Sequence, residues 1–337
     1  MKLSHQLRLL ARPRVLLPTI LTAALVAVVV KLADVPEVVD RIGAIPIPDL
    51  GFALTMALVY LSVKLWQLLV FLRRLGVRPG WRRLLLAFAV GELSLTLPFG
   101  LFAQNWVLKR SGAARFARTA AATVLMLVVE TLVLLLLLAA AGLPRWPQVR
   151  PVAAALLGGM IVAAVGAVRL RRAARRLALR YRRPAVRHAL LATSELLRAV
   201  RRLSKPVVLV KATALAAIYL GALAMAFWAV GRGVGLRPFG MLEAATIYAF
   251  SITVVLMLGG LVSQIGTIEI LGTGAARAWG VSVGDGLALM IGFRVVWTAA
   301  VWLLALPWVI AFWRRLEPRL ETPPAGASAD QLEEAPD

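Results

Sequence analysis

Six stretches of this chain are apolar over a length that can cross a bilayer: Val15–Leu32, Gly51–Leu72, Arg118–Gly142, Val152–Val168, Pro206–Val230 and Gly286–Trp313. A helix needs about 20 apolar residues to traverse the hydrocarbon core. Lipid admits only helices or closed barrels, because every spanning backbone group must be bonded within the protein. A barrel would show alternating segments of about ten residues, and none are present. The chain therefore reads as an all-α polytopic membrane protein. Composition agrees: 61% of the residues are hydrophobic and 16% charged, whereas a soluble domain carries about a quarter charged residues. The first run follows a basic stretch, as a secretion signal would. It lacks a small-x-small cleavage site before Lys31 and is expected to remain as a span.

Two further apolar stretches are irregular: Leu84–Leu108, broken at Leu97–Pro98, and Glu243–Trp279, broken at Gly259–Gly260. Cytoplasmic segments collect Lys and Arg. If both stretches crossed once, the Arg-rich segment Arg169–Lys205 would lie outside. If each enters and returns to its own side, most of the 39 Lys and Arg residues fall on one face. Two re-entrant broken-helix hairpins are expected on this ground, with both termini cytoplasmic and the chain in the inner (cytoplasmic) membrane. Each half then holds three crossings and one hairpin, an odd number, so residues 15–142 and 152–313 form inverted-topology halves. The halves make one transmembrane module over residues 1–316. Segment 169–205 joins them, with an interfacial amphipathic helix after Pro184 whose apolar positions are Val186, Leu190, Thr193, Leu197 and Val200. Residues 317–337 are acidic and Pro/Ala-rich, and are expected to be disordered. Ser111–Arg115 (SGAAR) and Thr273–Arg277 (TGAAR) would be the same hairpin-to-span junction in the two halves.

There is no Cys, and the only histidines are His5 and His188, so thiolate or His-based metal and catalytic sites are not expected. The net charge of +23 suits anionic headgroups rather than nucleic acid, because the arginines flank apolar spans. An ionisable residue mid-span costs roughly 2.5–3.5 kcal/mol on insertion scales and faces protein or water. Glu130 and Arg294 hold such positions in corresponding spans, and Lys64 lies deep in a third. The first two form either a central polar site or a structural ion pair. Glu92 and Glu269 lie in the hairpins with Gln104, Asn105 and Gln264, which either satisfy broken backbone or line a path for a headgroup. Arg277 could pair with Glu269 or bind a phosphate. Asp285 reads as helix-start chemistry without a further role.

Gly266-Thr-Ile-Glu269, Gly280-Val-Ser282 and Arg294, with Leu97-Pro98-Phe99-Gly100 and Lys109-Arg110 earlier, resemble the motifs of the transmembrane region of lysylphosphatidylglycerol synthases, a flippase-like module. The resemblance covers roughly residues 10–316. It departs at Leu258-Gly259-Gly260, where the family has a proline, and at Gln104 and Asn105, where it has an acid and an arginine. It implies a flippase-like translocator, moving a phospholipid or lipid-linked intermediate between leaflets through a polar cleft between the hairpins. It does not imply which lipid, and anionic headgroups are expected only on the charge argument above. The chain stops after this module and is not expected to make a lysyl-lipid itself. No G-x-x-x-x-G-K-[ST] loop is present, so no nucleotide or other cofactor is expected. A non-transporting scaffold working with envelope-lipid biosynthesis partners is the second reading. An intramembrane lipid-modifying enzyme is the third, disfavoured because no paired-aspartate motif or G-x-S-x-G elbow is found.

Overall fold

The computed structural model describes residues 35–95, 100–142, 184–236, 239–257 and 264–321, with scattered positions between 154 and 177. The expected span Val15–Leu32, most of Val152–Val168 and of 169–183, both chain breaks, Thr96, Ser263 and residues 322–337 lie outside these. Ten helices are described: α1 (Val35–Gly43), α2 (Ile47–Arg74), α3 (Trp81–Leu93), α4 (Ala103–Arg110), α5 (Phe116–Leu137), α6 (Pro184–Leu203), α7 (Pro206–Gly233), α8 (Met241–Met257), α9 (Gln264–Ala278) and α10 (Val283–Glu321). Among the described residues there is no strand. A short 3-10 turn, Gly100–Phe102, precedes α4, and a π turn, Leu138–Gly142, ends α5. Among the described residues, four helices are long and apolar enough to cross a membrane: Ile47–Arg74, Phe116–Ala140, Pro206–Gly233 and Val283–Phe312. The protein is thus a multi-pass helical membrane protein.

The centre of the bundle is the antiparallel pair α2 and α7. Asp49 on α2 accepts from Arg232 on α7 at 2.6 Å, Tyr60 meets Tyr219 edge-on at 5.6 Å, and Gln67 Nε2 donates to the Ala212 carbonyl at 2.8 Å. Residue numbers rise along one helix as they fall along the other, which fixes the opposed directions. The two helices match each other in several features. Both have 28 residues and open with a proline in the first turn. Ala53, Ala57, Tyr60 and Leu61 on α2 match Ala212, Ala216, Tyr219 and Leu220 on α7. The four alanines are 0–1% exposed, and small residues four apart are the spacing that lets membrane helices pack closely. Both helices end alike. Gly76 and Gly235 take φ of 74° and 92°, and the next amide bonds back across the last turn, Val77 to Leu72 at 2.9 Å and Leu236 to Gly231 at 3.1 Å. This is a Schellman ending, which favours glycine because other residues resist the left-handed region. The sequence continues in parallel as Gly76-Val-Arg-Pro and Gly235-Leu-Arg-Pro.

The same ending closes α4 at Gly112 and α9 at Gly280, with φ of 69° and 82°. It corrects the expected junction. SGAAR stands at a helix end, with Ser111 as the C-cap, but TGAAR lies inside α9. The true counterpart of Ser111-Gly112-Ala113 is Trp279-Gly280-Val281, with Ala113 bonding to Leu108 and Val281 to Ala276, both at 3.1 Å. The shift arises because α9 has 15 residues and α4 only 8.

Helices α3 and α4 are about 20 Å and about 12 Å long at 1.5 Å per residue, too short to cross a core of about 30 Å. They pack on each other and fold back: Arg83 at the start of α3 donates to the carbonyl of Ser111 after α4 at 3.3 Å. Helices α8 and α9 likewise pack together. The chain enters α8 from Phe239, whose carbonyl accepts from Trp228 of α7 at 3.0 Å. It leaves α9 into the start of α10, which Arg41 of α1 holds through Asp285. The remaining contacts repeat between halves: α3 packs on α10 as α8 does on α5, and α1 on α10 as α6 does on α5.

Two boundaries and one face differ from expectation. Helix α10 begins at Val283, not Gly286, because the Ser282 hydroxyl caps it, accepting the Asp285 amide at 3.1 Å. It runs on to Glu321, past the expected start of the disordered tail. Helix α6 is present after Pro184, but Val186 and Thr193 are exposed. Its packed side is Leu196, Ala199, Val200 and Leu203, because the C-terminal half docks on the main core.

Candidate functional site

Midway along α2, Lys64 is buried, with a side chain 8% exposed, and it faces two carboxylates. Its Nζ lies 3.2 Å from Glu92 at the end of α3 and 3.6 Å from Glu130 in the middle of α5. One turn earlier, Tyr60 accepts from Lys64 and donates to Glu92 at 3.1 Å. Across the helix pair, Tyr219 donates to Glu130 at 2.7 Å and lies 3.4 Å from Gln67 Oε1. The ammonium also sits 4.8 Å from the centre of the Tyr60 ring, a cation–π contact. Five side chains from four helices thus form one network. A buried charge is tolerated only when paired and hydrogen-bonded, and each member meets that condition.

The second half contributes a different group. Arg294 on α10 pairs with Glu269 on α9. The other oxygen of Glu269 accepts the amide of Gly266 at 2.7 Å. Gly266 has φ 84°, so the G-x-x-E spacing has a local cause: a glycine turns its N–H onto the acid three residues later. Glu269 is 5% exposed, whereas Arg294 is 21% exposed.

Both groups border one cavity of about 110 Å³, whose lining includes Tyr60, Lys64, Glu92, Glu130, Arg294 and Trp297. Tyr60 meets Trp297 at 5.1 Å, and Phe293 stacks on Trp297 at 5.7 Å, giving the cavity an aromatic wall. A smaller cavity of about 20 Å³ touches the same Lys64, Glu92 and Glu130 and extends to Gln104 and Thr123.

The expected residues therefore divide. Lys64, Glu92 and Glu130 come together, and Glu269 pairs with Arg294, which lines the same cavity. Glu130 and Arg294 are not each other's partners, because Lys64 with Tyr219 takes the first and Glu269 the second. Gln104 and Asn105 each donate to the Thr123 hydroxyl at 2.8 Å, tying α4 to α5 beside the small cavity. Arg277 is exposed in the last turn of α9, and Glu269 is engaged elsewhere. Gln264 opens α9, and its side chain is outside the described residues. Asp285 gains a role beyond the helix start through its pairing with Arg41. Tyr60, Tyr219 and Gln67 were not anticipated. The signal for the tyrosines was the repeated Ala-x-x-x-Ala-x-x-Tyr-Leu of α2 and α7.

The site is a largely apolar, aromatic-walled cavity that carries a few charged side chains, inside a multi-pass helical membrane protein. The family described as Lysylphosphatidylglycerol synthase TM region matches residues 15–307, and the chain belongs to it. It is thereby a membrane protein of lipid metabolism or translocation. No curated protein matches the chain.

Proposed function

We propose that this protein moves a membrane lipid between leaflets without altering it, the headgroup passing through the central cavity while the acyl chains stay in the bilayer. The observation that carries the reading is the cavity itself. It takes lining residues from both helix–break–helix units and from α2, α5, α7 and α10, so relative movement of the two halves would reshape it. The opposed α2 and α7 support inverted-topology halves, and the folded-back α3–α4 and α8–α9 support re-entrant hairpins. Broken helices meeting near the midplane are how many transporters build their substrate sites.

Sidedness follows from charge. Arg73, Arg74, Arg82, Arg83, Lys109 and Arg110 gather at the end where α2 finishes and α3 begins; by the positive-inside rule that end is cytoplasmic. The partner is an anionic headgroup, which would first meet Arg294, the more exposed of the two cavity cations. A cavity of about 110 Å³ takes a small polar headgroup or a few waters, each about 30 Å³ of liquid.

The test is a leaflet-resolved assay in proteoliposomes with fluorescently tailed phosphatidylglycerol. Arg294→Ala or Glu269→Gln is expected to slow redistribution at least about tenfold, equivalent to ~1.4 kcal/mol. Chemical conversion of the probe without redistribution would support a lipid-modifying enzyme. Neither result would leave a scaffold for envelope-lipid synthesis. The chain has no cysteine, so single cysteines report topology. Those replacing Arg78 and Arg115 should label from one side, and those replacing Arg277 and Ser282 from the other. Labelling of Arg78 and Arg115 positions from opposite sides would rule out a re-entrant first hairpin.

A further inference from the structure

The translocation reading leaves open what drives the lipid, and the buried network offers an answer that rests on that reading. Two carboxylates, Glu92 and Glu130, share the single ammonium of Lys64 at 3.2 and 3.6 Å. With both tyrosines neutral the network carries one net negative charge. It does so where all three charged side chains are 6–8% exposed. Unpaired charge at such depth is costly, and a proton is the smallest species that removes it.

Among the described residues, no further cation is paired with Glu92 or Glu130. On α2 the facing groups are Lys64 and Tyr60, on α3 Glu92, on α7 Tyr219 and on α8 Tyr248. Helix α4 contributes the neutral Gln104 and Asn105. Arg294 of α10 borders the cavity but is engaged with Glu269 of α9. Helix α6 meets α5 through Glu195, 4.0 Å from Arg118 and far along α5 from Glu130.

The second observation is the small cavity of about 20 Å³ against both carboxylates. It exceeds the roughly 10–15 Å³ that one water needs, and Lys64, Glu92, Gln104, Thr123 and Glu130 offer it polar partners. It lies on the α4–α5 side of the network, and α4 ends in Lys109 and Arg110 at the basic end of the bundle.

We propose that Glu92 and Glu130 share one exchangeable proton, reached from the basic end through this small cavity, and that lipid movement is coupled to it. With the proton bound, the network is neutral and an anionic headgroup can approach Lys64 and Arg294. With the proton released, the extra carboxylate charge repels it. Lipid and proton move together; the carboxylic O–H forms on loading and breaks on release, the proton passing to and from water, and no bond of the lipid changes.

The experiment uses the whole protein in phosphatidylglycerol/phosphatidylcholine vesicles with fluorescently tailed phosphatidylglycerol and a trapped pH dye. A pH difference is imposed in either direction. At one proton per lipid, a gradient of about one pH unit should shift the probe's leaflet ratio by up to about tenfold, with matching proton flux. An unchanged ratio under gradients of both signs, with movement intact, overturns the coupling and leaves translocation standing. Infrared titration without any lipid probe is the independent arm. A carboxylic-acid band should appear on acidification, shift in Glu92→Gln and in Glu130→Gln, and vanish in the double variant. A band untouched by the double variant overturns the proton site. A band that behaves as expected, with no probe movement under any gradient, sinks translocation instead. Should the variants fail to fold, the gradient arm on the native chain decides alone.

Discussion

The two halves of the molecule share a frame and differ in chemistry. Helices α2 and α7 match in length, in their opening proline, in their alanine spacing and in their glycine ending. Where α2 places Lys64, however, the matched position of α7 is Leu223. The first half holds a closed network of Lys64, Glu92 and Glu130, each side chain under one tenth exposed. The second half holds one pair, Glu269 and Arg294, with the arginine 21% exposed. The tyrosine is kept in both, and Tyr60 and Tyr219 bond the two carboxylates from opposite sides of the helix pair. The matched helices set where the backbones cross; within that frame the first group is held out of solvent and the second places a partly exposed cation on the cavity.

The comparison is broken most forcefully at its most unequal position. Lys64→Met leaves two carboxylates without their ammonium, and removing one partner of a buried ion pair costs about 3–5 kcal/mol. Leu223→Met at the matched site is a volume-conserving swap and should cost less than about 1.5 kcal/mol. Thermal unfolding of both variants in one detergent checks this. Similar losses would mean that Lys64 is not the centre of the network.

The next effect tests whether the two tyrosines act as one unit. Tyr60→Phe and Tyr219→Phe each remove a hydrogen bond to a carboxylate, about 1.5–3 kcal/mol apiece. Tyr60 meets Lys64 directly and through Glu92, and Tyr219 reaches it through Glu130, so the double variant should miss additivity by about 0.5–3 kcal/mol. Strict additivity in a double-mutant cycle would separate Glu92 and Glu130 into two independent sites.

Much of this was readable in the residues, and the failures have physical causes. Long apolar runs fix the spans because lipid leaves the backbone no alternative, and Lys64, Glu92, Glu130, Glu269 and Arg294 stand out because charge is rare at depth. Their pairing was not readable. Lys64 and Glu92 come from different helices across a fold-back, and nothing local in the sequence states which acid a mid-span lysine will meet. The G-x-x-E motif was visible as a pattern, but its reason, the left-handed Gly266 amide bonding Glu269, appears only with the backbone. The repeat was sought in SGAAR and TGAAR, which placed Glu130 against Arg294. The matches that survive are Tyr60 with Tyr219 and Gly76-Val-Arg-Pro with Gly235-Leu-Arg-Pro. These come before the short helix pairs α3–α4 and α8–α9, where no length difference has yet accumulated.

The smallest effect tests that register directly. Gly112 and Gly274 are equivalent if SGAAR matches TGAAR, and then substitution should act alike at both. The structure gives them different backbone conformations. Gly112 ends α4 at φ 69° and has open space around it, so an added Cβ meets no atom and the whole cost is conformational. Forcing an L-residue into that region costs roughly 1–2 kcal/mol. Gly274 lies within α9, also with nothing near an added Cβ, and alanine in a helix interior is favoured over glycine by roughly 0.5–1 kcal/mol. Gly112→Ala should therefore lower the melting temperature and Gly274→Ala raise it. Gly280→Ala, at the true counterpart, should match Gly112→Ala in sign and within about 0.5 kcal/mol in size, the usual limit for independent sites. The sign of Gly274→Ala decides most, because only a glycine at a helix end is needed for its backbone. A loss there equal to that at Gly112 would restore the SGAAR–TGAAR register, and with it the placement of Glu130 opposite Arg294.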